Sequence, residues 1–555
     1  DPNPQLDIFT APSMQLGSRA SKKYSDPNAW HNQFYSLVTT KINEEIFKPL
    51  FPEGKKCGRP NASIRILVAM SALKEGFGCS DEDLFEKCEF DLLTRKALGM
   101  ELLTDVTPSI DTYYLFRRRI CEYQERTGID LMQLCFEQLA GNQVRLLKIS
   151  GKCVRMDSKL IGSNIARQSR YELIHTTLVK FLKTCTLSDL SPEQEERAKE
   201  YLKEDSSKTV YRSDSDTLQS NLARIGNFIM EMLATFPATS PAHDLLQRQF
   251  DEQYAVKDGK AVLRDKKEVK ADSLQNPNDP DATYRAKNDQ KVQGYVTNIT
   301  ETVEEGKPNI ITSVQVETAV FADCHFLQEA VENSERVTDS TIEDLYADGA
   351  YQSPDNREFA KNHNAMQLKT GKMQGGCRWE LIPHDEDGLT VREIATGNTY
   401  EAVKAVTKQG SRKRWRIPWN NKTGWRYFED KDIKAYQLRK QIESLPLEEQ
   451  HKRNNVEAAM FQYCFHTRNG KTRYRGLLKH RMHAYSRCMW MNLRRMVKFQ
   501  ISTFQRSIFA LFGPIREAFG SFKAISRKIF TSGADCYVSL RMTTLARLDS
   551  KYVPF

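Results

Sequence analysis

The sequence predicts a mixed α/β protein assembled from several parts, and three observations lead to this. The 555 residues are too many for one hydrophobic core. Helical periodicity dominates the early part of the chain. Strand-like runs, two of them ending in an aspartate, follow far apart from one another. The hydrophobic content of 39% and charged content of 28% are those of an ordinary globular chain. No apolar run is long enough to span a membrane, and the start DPNPQLDIFT shows no secretory pattern. The 12 cysteines are scattered singly without a CxxC pair, which argues against zinc ribbons and for reduced thiols inside a cell.

Residues 1–28, rich in Pro, Ser and Asn, predict a flexible arm. Residues 29–145 are helical by pattern. In SIRILVAMSALKEGFG, Ile66, Met70 and Leu73 recur at i, i+4, i+7 spacing, and Gly76 and Gly78 stop the helix. Ser80 opens the next helix with acids in its first turn, where they suit the helix dipole. A third helix, TPSIDTYYLFRRRI, ends in Arg117, Arg118 and Arg119. Short helices joined by tight turns, one ending in basic residues, suit a helix-turn-helix-like DNA binder or, equally, a dimerisation or docking bundle.

Residues 146–162 begin a new unit with a strand, and 163–255 read as a polar helical insertion carrying the charge-patterned EQEERAKEYLKED. QNPNDPDA marks a turn-rich boundary within 256–282. Strand patterns resume at KVQGYVTNITET, NIITSVQVETAV and IEDLYADGAY, with the helix DCHFLQEAVEN between the last two. Residues 146–371 and 433–500 together predict one mixed-sheet core. Between them, 372–432 predict a β-rich insertion, from RWELIP, LTVREIATGNTYEAVKAV, KRWRIPW and GWRYFED with turn signals between. Residues 501–555 form a basic, aromatic-containing tail of helical pattern.

Three acids draw the eye: Asp157 in KCVRMDSKL, Asp348 in EDLYADGAY and Glu457 in RNNVEAAMF. Val154 and Met156 face a core, which sets Asp157 at the end of the first strand. IEDLYA sets Asp348 at the C-terminal edge of a buried strand, where sites in α/β sheets gather. Each acid has a plainer reading: a turn or cap for Asp157, an Asp-Gly turn for Asp348, an i, i+4 ion pair with Arg453 for Glu457. Asp323, after TAVFA, reads as a helix cap or a neighbour of the site. Taken jointly, carboxylates delivered by two strand ends and a helix suit hard divalent cations such as Mg²⁺. Two such ions about 3.5–4 Å apart activate an oxygen nucleophile and stabilise a leaving oxygen. That chemistry cuts or joins phosphodiesters.

The charge distribution points the same way. From Arg453 to Phe555, 19 Lys/Arg stand against 4 Asp/Glu, while the preceding residues hold 63 basic and 68 acidic groups. An excess confined to the end beside Glu457 points to a polyanion partner. Arg468, Lys471, Arg473, Arg475, Lys479 and Arg481 are the candidates for contacting its backbone. In the β-rich insertion, Trp415, Trp419 and Trp425 are interleaved with Arg412, Lys413, Arg414, Arg416 and Arg426. Rings amid positive charge can hold an unstacked base, or the tryptophans pack a small β core.

With these segments in order, the chain resembles the bacterial insertion-sequence DDE transposases. The resemblance rests on MDS, on YADGAYQSPDN, which is similar to a DxGY segment, and on RNNVEAAMF, which is similar to an RxxxE helix and is followed by RYRGLL. It covers roughly residues 30–500, and a β-rich insertion between the second and third acids is a feature of the cut-and-paste branch. It implies an RNase H-like mixed-sheet catalytic core with an N-terminal helical domain, a helical insertion and a β-rich insertion. It implies Asp157, Asp348 and Glu457 as catalytic metal ligands for two Mg²⁺ ions, with Mn²⁺ substituting, and Arg453 at the scissile phosphate. The implied partner is double-stranded DNA, both transposon ends and target, worked on by a homodimer or larger assembly in the bacterial cytoplasm at the nucleoid. Cleavage would expose a 3′-OH that the same site joins to target DNA, and one ring of the insertion would receive a flipped base.

Two positions depart from the family pattern. Gln450 stands where a Tyr is frequent, and Cys464 where a Lys that holds the DNA backbone is frequent. Lys471, Arg473 and Arg475 are the candidates to replace that Lys. A nuclease without strand transfer, or a domesticated DNA-binding protein without catalysis, are the alternatives.

Overall fold

The computed structural model describes residues 11–51, 62–237, 240–287, 290–370, 377–384, 388–405, 413–419, 424–444 and 446–518. Its strands in chain order begin with β1 (Cys153–Gly162), the hairpin β2 (Tyr254–Lys257) and β3 (Lys260–Leu263), then β4 (Thr283–Lys287), β5 (Gln290–Thr302) and β6 (Ile311–Thr318). After these come β7 (Asp344–Ala347), β8 (Gln367–Thr370), β9 (Trp379–Pro383), β10 (Leu389–Glu393), β11 (Thr399–Lys404), β12 (Arg414–Trp419) and β13 (Gly424–Glu429).

A six-stranded mixed sheet is built around β1. β5 runs antiparallel to β1 from Val154 beside Thr302 to Gly162 beside Gly294. β4 and β6 take successive stretches of the far edge of β5, both antiparallel. On the other side of β1, β7 and then β8 run parallel. Parallel neighbours need a crossover. The helices Leu327–Thr338 and Pro354–Asn362 supply them, one leading from β6 to β7 and the other from β7 to β8.

Side chains alternate across a strand. Val154 and Met156 of β1, with Leu345 and Ala347 of β7, bury one face of the sheet against those two crossover helices. The opposite face carries Ile161, Tyr295 and Ile299 and packs on the helices Leu447–Cys464 and Leu477–Ala518. That second core also holds the N-terminal helices Ile64–Phe77 and Leu131–Leu147. The described residues between 29 and 145 form helices and turns that share a core with the sheet and do not stand apart. Trp490 shows why: Trp30, Phe34 and Phe77 all lie with ring centroids within 6.0 Å of its ring. Gly76 is required there, because a Cβ would lie 2.3 Å from the Trp490 ring.

Several boundaries shift. Of the stretch 1–28 expected to be a flexible arm, residues 1–10 lie outside the described residues, and 11–28 contain the helices Pro12–Gln15 and Ser18–Ser25, with Tyr24 buried and its carbonyl capped by His31 and Asn32. The first strand starts at Cys153 rather than 146, because the preceding helix runs to Leu147. Asp157 lies in the middle of β1 and not at its end, because β5 is long enough to carry the pairing on to Gly162. The C-terminal helix Leu477–Ala518 crosses the boundary placed at 500 and 501, and residues 519–555 of the tail lie outside the described residues.

The segment 163–255 folds as five helices around its own core, closed by the β2–β3 hairpin. The segment 372–432 holds the five strands β9 to β13 in one antiparallel sheet, packed on the helix Asp430–Glu443. Among the described residues, no helix is long and apolar enough to cross a membrane.

Candidate active site

The parallel register of β1 and β7 sets the first two acids side by side. Cys153 lies beside Asp344, Val154 beside Leu345 and Arg155 beside Tyr346. Carried two residues on, the same offset brings Asp348, just past the end of β7, level with Asp157. Neighbouring strands are about 4.8 Å apart. Both acids alternate out of phase with the apolar set, so they share the face opposite the Val154, Met156, Leu345 and Ala347 core. Each carboxylate accepts a hydrogen bond from the next residue, Asp157 from the Ser158 amide at 2.8 Å and Asp348 from the Gly349 amide at 2.6 Å.

The third acid arrives on the helix Leu447–Cys464, which crosses this face obliquely. Glu449 pairs with Lys369 of β8 at 2.8 Å. The Lys452 carbonyl accepts from Arg155 of β1 at 2.8 Å, and the Tyr463 hydroxyl meets Thr297 of β5 at 3.4 Å. Thr297 is the register partner of Lys159. The helix thus passes Arg155 at one end and the level of Lys159 at the other. Glu457, exposed and between these anchors, passes close to the level of Asp157. Arg155 itself is buried and paired with Glu301, which also takes Arg495 at 2.7 Å. That cluster ties β1, β5 and two helices together beneath the acids.

The electrostatics register the crowding. The Asp157 carboxyl is pushed up to about 6, first by burial and then by the negative charges of Asp348 and Glu457. The Ser158 amide and the Lys287 ammonium pull the other way. Lys287 is shared with Asp323, which it meets at 3.4 Å while Arg285 meets it at 3.0 Å. Asp323 is therefore the centre of a buried ion cluster and not a cap; Ala322 holds the cap position of that turn. Behind the acids, Tyr351 is fully buried and donates to Asn298 at 2.7 Å.

Among the described residues, no group of three or more His, Cys, Asp or Glu side chains stands close enough to hold a metal ion as placed. The donor chemistry nonetheless fits a hard cation. All three groups offer oxygen, and a divalent ion would offset both the burial of the Asp157 charge, the larger cause of its raised carboxyl, and the repulsion from Asp348 and Glu457. Glu457, exposed on its helix, has the rotamer freedom to close on the pair.

The predicted DNA-contact residues divide. Lys471 donates to the Ile165 carbonyl at 2.6 Å, Arg475 to the Asn164 carbonyl at 2.7 Å, and Arg473 to the Gly78 and Cys79 carbonyls. These side chains hold the segment after the Glu457 helix onto the rim of the sheet and onto the N-terminal helices. Lys479 is exposed. Arg481 pairs with Glu317 and Arg487 is buried, so part of the C-terminal positive charge is neutralised inside the molecule. Arg117 is largely buried, 3.7 Å from Asp81 and stacked over Tyr113 and Tyr474, whereas Arg118 is exposed and pairs with Glu122.

In the insertion, Trp415 is buried in the core of the small sheet, as the packing alternative expects. Trp425 is exposed, with the Arg416 guanidinium 4.2 Å above its ring, and Arg414 lies 4.2 Å over Tyr427. The side chains of Arg453 and Trp419 lie outside the described residues, as does Arg412. Sequence reasoning passed over Arg155 and Lys159, although the period-2 alternation that places Asp157 puts both on its face.

Residues 23–119 match the family model described as Transposase domain (DUF772). No curated protein matches the chain, and no solved structure matches it. The matched segment spans the N-terminal helices up to Arg119 and stops well short of Asp157. It supports a transposase family.

Proposed function

We propose that the chain is a DDE-type DNA transposase with an RNase H-like core, in which Asp157, Asp348 and Glu457 bind two Mg²⁺ ions, with Mn²⁺ substituting. The observation that carries this reading is the register of β1 and β7, which levels Asp157 with Asp348 on the face crossed by the Glu457 helix. The family match of residues 23–119 supports it independently of the acids. When bound at these carboxylates, divalent ions supply the activation of water and the neutralisation of the leaving oxygen.

The chain's own residues do the rest. The paired backbones of β1 and β7 set the spacing of two ligands. Arg155 and Lys369 fix the helix that carries the third. Burial of Asp157 thins the water around it and strengthens its pull on a cation. Exposed Lys479, Arg118 and Trp425 are available to double-stranded DNA, which a transposase takes as both transposon end and target. A homodimer or larger assembly holds the two ends together. Hydrolysis exposes a 3′-OH, and the same acids direct it at the target strand.

The test is a strand-cleavage assay on supercoiled plasmid in Mg²⁺ and in Mn²⁺. Wild type nicks, while Asp157→Asn, Asp348→Asn and Glu457→Gln do not, although each still retards DNA in a gel. Nicking that survives any of these changes overturns the assignment. Supplying a pre-cut end with an exposed 3′-OH separates a transposase, which yields joined product, from a nuclease, which does not.

A further inference from the structure

The helix that carries Glu457 leaves an aromatic stripe uncovered beside the acids. Phe461 is 70% exposed and Phe465 42% exposed, with ring centroids 6.4 Å apart in an edge-on arrangement. They follow Glu457 at spacings of four and eight, so all three share one side of the helix. Burial elsewhere on the same helix is ordinary: Met460 and Tyr463 point into the core. The helix therefore has apolar residues enough for packing, and the two phenylalanines are surplus to it.

A cation stands next to this stripe. Lys159 is exposed on β1, two residues beyond Asp157 and on the same face. Its register partner Thr297 is touched by Tyr463, and its charge reaches Cys464, which lies between the two phenylalanines in sequence. Among the described residues, Lys159 makes no hydrogen bond and no ion pair with a carboxylate. Nearby lysines differ: Lys287, Lys369 and Lys452 all pair with acids.

We infer that Lys159, Phe461 and Phe465 form a clamp for the nucleotide flanking the cut, the ammonium on a phosphate and the rings against an unstacked base. This inference rests on the phosphodiester reading of the acids. An aromatic face holds any base, while a lone ammonium holds any phosphate. The occupant that needs both, at the edge of a carboxylate cluster, is a single strand of nucleic acid freed from its duplex. The clamp favours ends whose terminal pairs have opened, and it holds the reacting phosphate in place while the neighbouring base is out of the stack.

The experiment uses the full-length protein and two probes of equal length, a fluorescent single-stranded oligothymidylate and an abasic oligomer with the same phosphates. The double variant Phe461→Ala, Phe465→Ala is expected to bind the oligothymidylate on the order of ten-fold more weakly and the abasic oligomer as wild type does. Lys159→Gln is expected to weaken both probes and to lower the salt slope by about one. Both phenylalanines are exposed, so the melting temperature serves as a control, and Phe461→Leu keeps bulk without a ring should the double variant melt early. A double variant that binds both probes like wild type overturns the clamp. Nicking by Asp157→Asn, measured separately, would overturn the phosphodiester reading and leave the probe comparison to report on the clamp.

Discussion

Replacing Asp157 with Asn removes the charge that Asp348 and Glu457 repel and keeps the side-chain shape. The carboxyl sits at about 6 in the folded chain against 3.8 for an unperturbed aspartate. Between those values the folded state keeps a proton that the unfolded state has released. Stability therefore falls as pH rises through this window and stays lower by a constant amount above it. About two units at about 1.4 kcal/mol each make that amount about 3 kcal/mol at neutral pH. Asn carries no such cost, so the variant is the more stable chain at pH 7 and the two converge near pH 4. For a chain of this size the difference corresponds to roughly 2–3 °C in Tm. The assay is thermal unfolding of both proteins at matched steps from about pH 3.5 to about pH 7.5, where carboxylates remote from Asp157 cancel in the difference. Added Mn²⁺ should raise the Tm of wild type and leave that of the variant where it was. A difference that does not change with pH, or a wild type that is the more stable chain at pH 7, refutes a carboxyl raised by its burial and its acidic neighbours.

Four further outcomes follow from the packing and the surface charge. Glu301→Gln leaves the buried Arg155 and Arg495 guanidiniums without a carboxylate, and chemical denaturation should register a loss of about 3–5 kcal/mol. Gly76→Ala, ordinarily a favourable change within a helix, drives a methyl into the Trp490 ring and should cost about 1–3 kcal/mol, read as a lowered Tm. Arg473→Ala should lower Tm while leaving the salt slope of DNA binding unchanged, because its donors serve the Gly78 and Cys79 carbonyls. Lys479→Ala should do the reverse, reducing that slope by about one at constant Tm.

The parts of this molecule that local periodicity dictates were readable in advance. The strand patterns at KVQGYVTNITET and NIITSVQVETAV became β5 and β6, and the turn signal TGN separates β10 from β11. The position of Asp348 after a buried strand was legible because a short apolar run followed by Asp-Gly has few other readings. Partnership across the chain was not legible. Nothing local to Arg473 says that its guanidinium will meet a carbonyl some 395 residues earlier. The basic run 468–481 looked like a solvated, DNA-facing strip for that reason. Trp415 and Trp425 are indistinguishable in composition, and only the register of β12 against β13 buries the first and exposes the second. That Asp157 lies within the paired part of β1 and not at its end was not legible, because it depends on the length of a partner strand more than 130 residues away.

Gly76 and Trp490 are among the earliest and latest residues of one core, separated by some 400 positions. At the usual pace of synthesis the ribosome needs about 20–80 s to travel from one to the other. Throughout that interval the helix Ile64–Phe77 is covered only by its N-terminal neighbours, and its Gly76 side waits for the Trp490 ring. The third acid joins the other two only after the helix Leu447–Cys464 has been made, so a chain stopped short of it holds Asp157 and Asp348 without Glu457.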